Sequence, residues 1–283
     1  MLEINVELVK NLIRSQFPKW QNLNITPIEK SGWDNRTFHL GHEMLVRLPS
    51  AERYASQPEK EFEWLPRLSS YISLPIPSPI AKGTPTSDYP FSWTITRYIK
   101  GKTVNRERIS DMKDFVYDLT KVLKEIHSAN TENAPIAGQH NFYRGGDLNV
   151  YHEETCNAIK KLKDTLPSNK LSEIWDTAVS SRWEQKSVWV HGDVAVGNLL
   201  INKGVLCAVI DFGSSAVGDP ACDYVMGWTF FDVHHRKLFF ELLDCDKETI
   251  ERAKGWALWK ALITYDDEIS KYTINEILNE SKI

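Results

Sequence analysis

Three side chains in the second half of the sequence have the types and the spacing that phosphoryl transfer needs. The run His191-Gly192-Asp193-Val194-Ala195-Val196-Gly197-Asn198 is followed, twelve positions on, by Ile210-Asp211-Phe212-Gly213. Phosphoryl transfer asks little covalent chemistry of a protein. It asks that a hydroxyl be oriented, that a divalent cation be held against the phosphates, and that developing charge be neutralised. An Asp with an Asn five positions later, on a tight loop after an apolar strand, can divide that work: the carboxylate meets the hydroxyl and the amide oxygen meets the metal. Residues 199–210 read as a hairpin that returns the chain and brings Asp211 beside Asn198. Two hard oxygen ligands from separate segments suit Mg²⁺, which keeps waters and takes its remaining ligands from phosphates.

Those residues need a scaffold, and the hydrophobic pattern predicts one. Val6, Val9, Leu12 and Ile13 recur at helical spacing over residues 4–17. From Ile25 to about Leu48, short runs broken by SGWDN and GH predict a β-meander. EKEFEWLPRL predicts a helix with Phe62, Leu65 and Leu68 on one face, kinked or shortened by Pro66. FSWTITRYI (91–99) alternates and is rich in β-branched and aromatic residues, a strand pattern. Beyond Gly101 the pattern turns helical: Ile109, Met112, Phe115, Val116, Leu119, Val122, Leu123 and Ile126 trace one buried face. Helices are predicted over about 152–165 and 170–183, then the SVWV, LLI and VLCAVI strands with an Asn202-Lys203-Gly204 turn, then helix again. The expectation is a small β-rich lobe, residues 1–98, joined to a larger helical lobe, residues 99–283, with a ligand cleft between them.

Composition narrows the function classes. The chain has 283 residues, 42% hydrophobic and 25% charged, with a net charge of -4 from 34 basic and 38 acidic residues. That balance offers no broad basic field for nucleic acid. Cys156, Cys207, Cys222 and Cys245 show no metal-ligand spacing and read as buried core thiols in a reducing compartment. No stretch reaches the apolar length that spans a bilayer. The expectation is a cytoplasmic protein with neither a nucleic-acid nor a membrane partner; the oligomeric state is left open.

The loop HGDVAVGN, the segment AVIDFG and the following SSAVGDPACDYV together resemble the aminoglycoside phosphotransferase family, whose fold looks like that of the protein kinases. The resemblance implies an α+β, two-lobed protein-kinase-like fold with a β-rich N-lobe, a mainly helical C-lobe and a catalytic β-hairpin. It also implies ATP (or GTP) and Mg²⁺, with Asp193 as the catalytic carboxylate and Asn198 and Asp211 as metal ligands. Asp219 would begin a helix and Asp223 would tie down the catalytic loop, with His191 and His127 bracing it. In the small lobe the resemblance implies a phosphate-covering hairpin at Ser31-Gly32-Trp33-Asp34-Asn35, where Ser31 and Asn35 would donate to phosphate oxygens because the glycine-rich kinase motif is missing. Arg47 stands where kinases carry lysine and can grip a phosphate through two parallel hydrogen bonds. Glu61 would pair with it from the helix. Thr96, Arg97 and Ile99 would form the hinge that meets the adenine edge.

The resemblance also implies that the acceptor is a small-molecule hydroxyl. Aminoglycoside, macrolide, choline, homoserine and methylthioribose kinases share these motifs, which do not separate them. Asp232, Asp266, Asp267 and Glu268, near the C-terminal helices, offer carboxylates for an amino sugar; a solvated acidic face explains them as simply. The loop NFYRGGDLNVYHEET (141–155) borders the acceptor pocket or is an ordinary connection. The rival from another class is a catalytically silent nucleotide-binding protein on the same fold, against which the intact set Asp193, Asn198 and Asp211 argues.

Overall fold

The computed structural model describes residues 3–28, 32 and 34–280. Ser31 of the expected phosphate hairpin lies outside them. The first helix, α1 (Val6–Gln16), is capped by the Asn5 side chain and buries Val9, Leu12 and Ile13. They face a five-stranded antiparallel sheet built from β1 (Ile25–Pro27), β2 (Asn35–Leu40), β3 (Met44–Pro49), β4 (Pro79–Gly83) and β5 (Trp93–Arg97), in the order β1-β2-β3-β5-β4. In this register Arg47 lies opposite Thr37 on one side and Thr94 on the other, which fixes it on the central strand.

Helix α2 (Gln57–Leu68) intervenes between β3 and β4. Its buried face is Gln57, Pro58, Glu61, Trp64, Leu65 and Leu68. Phe62, expected on that face, is instead exposed and lies under the Lys82 ammonium. The face is rotated because Glu61 turns inward to an ion pair that hydrophobic periodicity cannot register. Pro66 does not cut the helix short, which continues to Leu68; so near the C-terminal end, the hydrogen bond lost to proline is one of few left to lose. Trp64, Leu65 and Leu68 join the core of the helical lobe and not that of the sheet, so α2 is the packing link between the two.

The rest of the chain carries β6 (Lys102–Thr103), α3 (Met112–His127), α4 (His152–Lys161), α5 (Ser168–Val179), β7 (Val188–Val190), β8 (Leu199–Asn202), β9 (Val205–Val209), β10 (Ala216–Gly218), α6 (Met226–Thr229), α7 (Val233–Leu243), α8 (Lys247–Ile263) and α9 (Glu268–Glu280). Strands β8 and β9 form the expected hairpin. Its two-residue turn has Lys203 at φ 50° and Gly204 at φ 83°, the left-handed pair that matches strand twist. Strand β7 pairs with β10 and not with that hairpin, so the loop after β7 and the segment before β10 are held side by side. Helix α8 runs through the middle of the lobe and buries Trp256, Ala257, Leu258 and Trp259. The expectation of buried thiols holds for Cys222 alone: Cys156 is exposed, and Cys207 and Cys245 are only partly buried. Among the described residues no helix is long and apolar enough to cross a membrane.

Candidate active site

The loop after β7 is held by one buried carboxylate. Asp223 is fully buried and accepts the backbone N–H of His191 at 2.8 Å and of Gly192 at 2.7 Å. His127, at the end of α3, places its Nε2 3.3 Å from the same carboxylate. Gly192 has φ +81°, and a Cβ there would lie 2.3 Å from the Ser214 carbonyl oxygen, so the turn admits only glycine. His191 is committed at both ring nitrogens: Nε2 faces the Ile210 carbonyl at 3.0 Å, and Nδ1 receives the Asp193 N–H at 3.2 Å. With Nε2 donating and Nδ1 accepting, the ring is a neutral brace with no nitrogen left for acid–base work.

Asp193 emerges from this braced turn with its side chain exposed. Asn198 reaches back to it, its Nδ2 donating to the Asp193 carbonyl at 2.8 Å and to the Asp193 Oδ2 at 2.9 Å. Both amide protons are thus spent on Asp193, which turns the Asn198 Oδ1 outward. The Ile210 N–H donates to the Asn198 carbonyl at 2.8 Å, so Asp211 follows directly beside Asn198. Asp211 has φ +67°, a left-handed backbone that swings its carboxylate toward the small lobe. There the Arg47 Nη2 donates to its Oδ1 at 2.8 Å, while Nη1 of the same guanidinium meets Glu61 at 2.7 and 2.9 Å. Burial opposes the charge on Arg47, but the Glu61 and Asp211 carboxylates outweigh it and raise its pKa.

Asp34 belongs to this cluster, and the motif reading passed it over for its neighbours. Burial, and then the nearby Asp211 charge, push its carboxyl up to about 6, against the pull of Arg47. Asn35, expected to donate to phosphate oxygens, is buried, and its amide donates to Asp34 at 3.2 Å and to Gln57 at 3.3 Å. Lys60 is a second omission. Its ammonium donates to the carbonyls of Gly213 (2.7 Å) and Ser215 (2.9 Å), pinning the segment after Asp211 to α2, and burial lowers its pKa to about 8. The partners of Lys60 are backbone carbonyls, which leave no mark in the sequence.

At the hinge, Thr96 is buried within β5, paired with Leu45 and Pro79. The Arg97 N–H donates to the Ser78 carbonyl at 2.9 Å and is not free to meet a base; Ile99 lies past the strand end. The four acidic residues assigned to an amino sugar mostly have local partners. Asp232 caps α7 and holds His235 at 2.8 Å, Asp267 caps the Ile269 N–H at 2.9 Å, Glu268 pairs with Lys271 at 2.7 Å, and Asp266 is exposed. The loop at 141–146, by contrast, is built into the site. Asn141 donates to the Ser214 carbonyl at 3.1 Å, and the Gly145 carbonyl accepts the Asp219 N–H at 2.7 Å. Asp219 caps the turn at Pro220–Asp223 and is held by Arg252 at 2.7 Å.

Among the described residues no cluster of three or more His, Cys, Asp or Glu side chains could hold a metal. The Asn198 and Asp211 oxygens are nonetheless what a magnesium ion carried in on phosphates would need: two hard donors side by side, one of them charged.

Residues 24–256 match the model of the phosphotransferase enzyme family APH. No curated protein matches the chain. Among solved structures, the GDP and kanamycin complex of APH(2")-IIia is 16% identical with a TM-score of 0.73, covering 97% of this chain and 98% of that one. The streptomycin-ATP-APH(2")-IIa ternary complex is 20% identical with a TM-score of 0.62, covering 99% and 97%. The apoenzyme of macrolide 2'-phosphotransferase MphH from Brachybacterium faecium is 15% identical with a TM-score of 0.64, covering 97% and 98%. At these identities the structural likeness speaks to the fold, a sheet lobe and a helical lobe arranged as in the protein kinases; the family rests on the match over residues 24–256. The chain belongs to the APH phosphotransferase enzyme family.

Proposed function

We propose that this protein transfers the γ-phosphate of ATP, or of GTP, to a hydroxyl of a small molecule, with Asp193 as the group that orients and deprotonates the hydroxyl. The observation that supports this most is the hydrogen-bonded unit of Asp193 and Asn198 lying against Asp211. A bound Mg²⁺ would neutralise charge on the phosphates, and the Asn198 Oδ1 and the Asp211 carboxylate are the residues to hold it. Asn198 also fixes the Asp193 carboxylate through its Nδ2, so the base is aimed before any substrate arrives. Asp193 is exposed and, among the described residues, forms no ion pair, which leaves its carboxylate available to take the hydroxyl proton as the oxygen attacks phosphorus.

Arg47 serves this arrangement indirectly. Its two arms span Glu61 and Asp211, and so couple α2 and the small lobe to the metal corner. Adenine contact falls to the Arg97 carbonyl and to the backbone of Ile99, since the Arg97 N–H is already taken. The amino-sugar acceptor draws little support from Asp232, Asp267 and Glu268, which are engaged in caps and pairs, and leaves Asp266 as the exposed carboxylate of the four. Cytoplasmic placement follows from the substrate, since nucleoside triphosphate is a cytoplasmic currency.

The test is ATP titration at several Mg²⁺ concentrations for the wild type and Asp211→Ala. The wild type should bind ATP more tightly as Mg²⁺ rises and Asp211→Ala should lose most of that dependence. ATP binding that ignores Mg²⁺ in both proteins would refute the proposal.

A further inference from the structure

The floor beside Asp193 is cationic. Arg144 stands against the turn that carries Asp193: a Cβ on Gly192 would lie 3.1 Å from the Arg144 Cβ. Its half-buried guanidinium rests over Trp259 at 4.7 Å and Trp256 at 5.4 Å. Both rings belong to α8, where Trp256 and Lys260 are one turn apart and share a face. Lys260 is exposed on that face. Burial lowers its pKa, Arg144 lowers it further, and Asp193 and Glu154 act the other way, so its ammonium feels both the guanidinium and the proposed base.

Among the described residues, neither Arg144 nor Lys260 forms an ion pair; the nearby Glu154 carboxylate accepts the Trp259 indole N–H at 2.7 Å. Two like charges held close repel each other, and an anion set between them lowers that cost. The adjoining surface repeats the pattern. A cavity of about 600 Å³ runs alongside, with Arg53, His140, Phe142, Tyr143 and Tyr151 in its wall and, among the described residues, no carboxylate.

The Tyr54 ring of the small lobe meets Phe142 at 5.7 Å, so this cavity lies where the lobes face each other. Arg144 and Lys260 are anchored in the helical lobe, on the 141–146 loop and α8. The adenine contact proposed above begins at Arg97, the end of β5 in the small-lobe sheet. The two cations therefore belong to the acceptor side.

We propose that Arg144 and Lys260 form an anion subsite for the acceptor, which is a hydroxyl compound bearing a carboxylate or phosphate, its anionic end on this pair and its hydroxyl at Asp193. This rests on the kinase reading and deepens it. It selects against polycations, which the same pair repels. An arginine fork on an aromatic base suits an oxyanion, and the lysine adds a point charge.

The experiment uses one sugar scaffold with graded charge: glucosamine, glucose, glucuronate and glucose 6-phosphate, with kanamycin as the polycation, each scored by mass gain of one phosphate in the presence of ATP and Mg²⁺. The anionic sugars should be phosphorylated with a kcat/KM at least about tenfold above glucose, and the two arms tell carboxylate from phosphate. Arg144→Gln and Lys260→Gln should each raise the KM of the anionic sugar about tenfold or more while the nucleotide KM holds within about twofold. Arg144→Lys should recover part of the loss. Lys260→Gln removes an exposed side chain and guards against a folding artefact. A preference for glucosamine or kanamycin, or transfer to nothing in the series while Mg-dependent ATP binding persists, overturns the subsite and leaves the kinase reading standing. So does a nucleotide KM that climbs in either variant while the acceptor KM stays put, which would assign the pair to the γ-phosphate. Loss of Mg-dependent ATP binding in the wild type would bring down both.

Discussion

Asn198 gives both of its amide protons to Asp193, one to the backbone carbonyl at 2.8 Å and one to the carboxylate at 2.9 Å. The proposed base and the proposed metal ligand are therefore one mechanical unit. Asn198→Ala should cut kcat as well as weaken the response to Mg²⁺, whereas Asp211→Ala should act mainly on Mg²⁺ and nucleotide. Steady-state kinetics across a Mg²⁺ series separate the two. Identical profiles for both variants would mean that Asn198 does not position Asp193.

Arg47 is buried between two carboxylates, and Glu61 is only 4% exposed. Removing the guanidinium strands a buried carboxylate, a loss that typically costs about 3–5 kcal/mol. Arg47→Ala should accordingly lower the Tm substantially and raise the Mg²⁺ needed for nucleotide binding. Arg47→Lys, which reaches one partner but cannot fork, should fall between. Thermal melts with and without MgATP check this, and a native Tm in Arg47→Ala would contradict the bridge.

Lys60 gives a pH signature. Its folded pKa is depressed by burial to about 8, below the ordinary 10.5. Between those two values the unfolded chain holds a proton that the folded chain has released, so rising pH favours the folded state there. The wild type should gain stability relative to Lys60→Met from about pH 8 to about pH 10.5, by at most roughly 3 kcal/mol. Below pH 8 the difference should be flat. Urea melts of the two proteins at a series of pH values measure it, and a difference that stays flat across the whole range would remove Lys60 from its buried position.

The motif half of the site was legible because its chemistry is local. Asp193 and Asn198 are five residues apart on one loop, Asp211 follows a two-strand hairpin, and Asp219 and Asp223 share one turn. What spacing could not show are the contacts made by folding. Arg47 meets Asp211 across 164 residues, Asp34 acquires its environment only from that meeting, and Lys60 binds backbone carbonyls. Periodicity weighs apolar residues alone and so puts Phe62 inward, while α2 turns to bury Glu61. Asn35 and Ser31 stand out in sequence as the polar residues of a hairpin; in the structure the Asn35 amide holds Asp34 and Gln57, and Ser31 lies outside the described residues. The 141–146 loop stands out by composition, but the cationic role proposed for it depends on aromatic rings more than a hundred residues downstream.

The most direct test of the central claim is single-turnover transfer from γ-labelled ATP to the best acceptor of the sugar series, comparing the wild type with Asp193→Asn at saturating MgATP. The variant keeps the Asn198 hydrogen-bonding geometry but loses the base, so ATP affinity should stay within about twofold while transfer falls by about 10²–10⁴. Transfer at or near the wild-type rate in Asp193→Asn, with ATP bound and acceptor saturating, would contradict the assignment of Asp193 and the mechanism built on it.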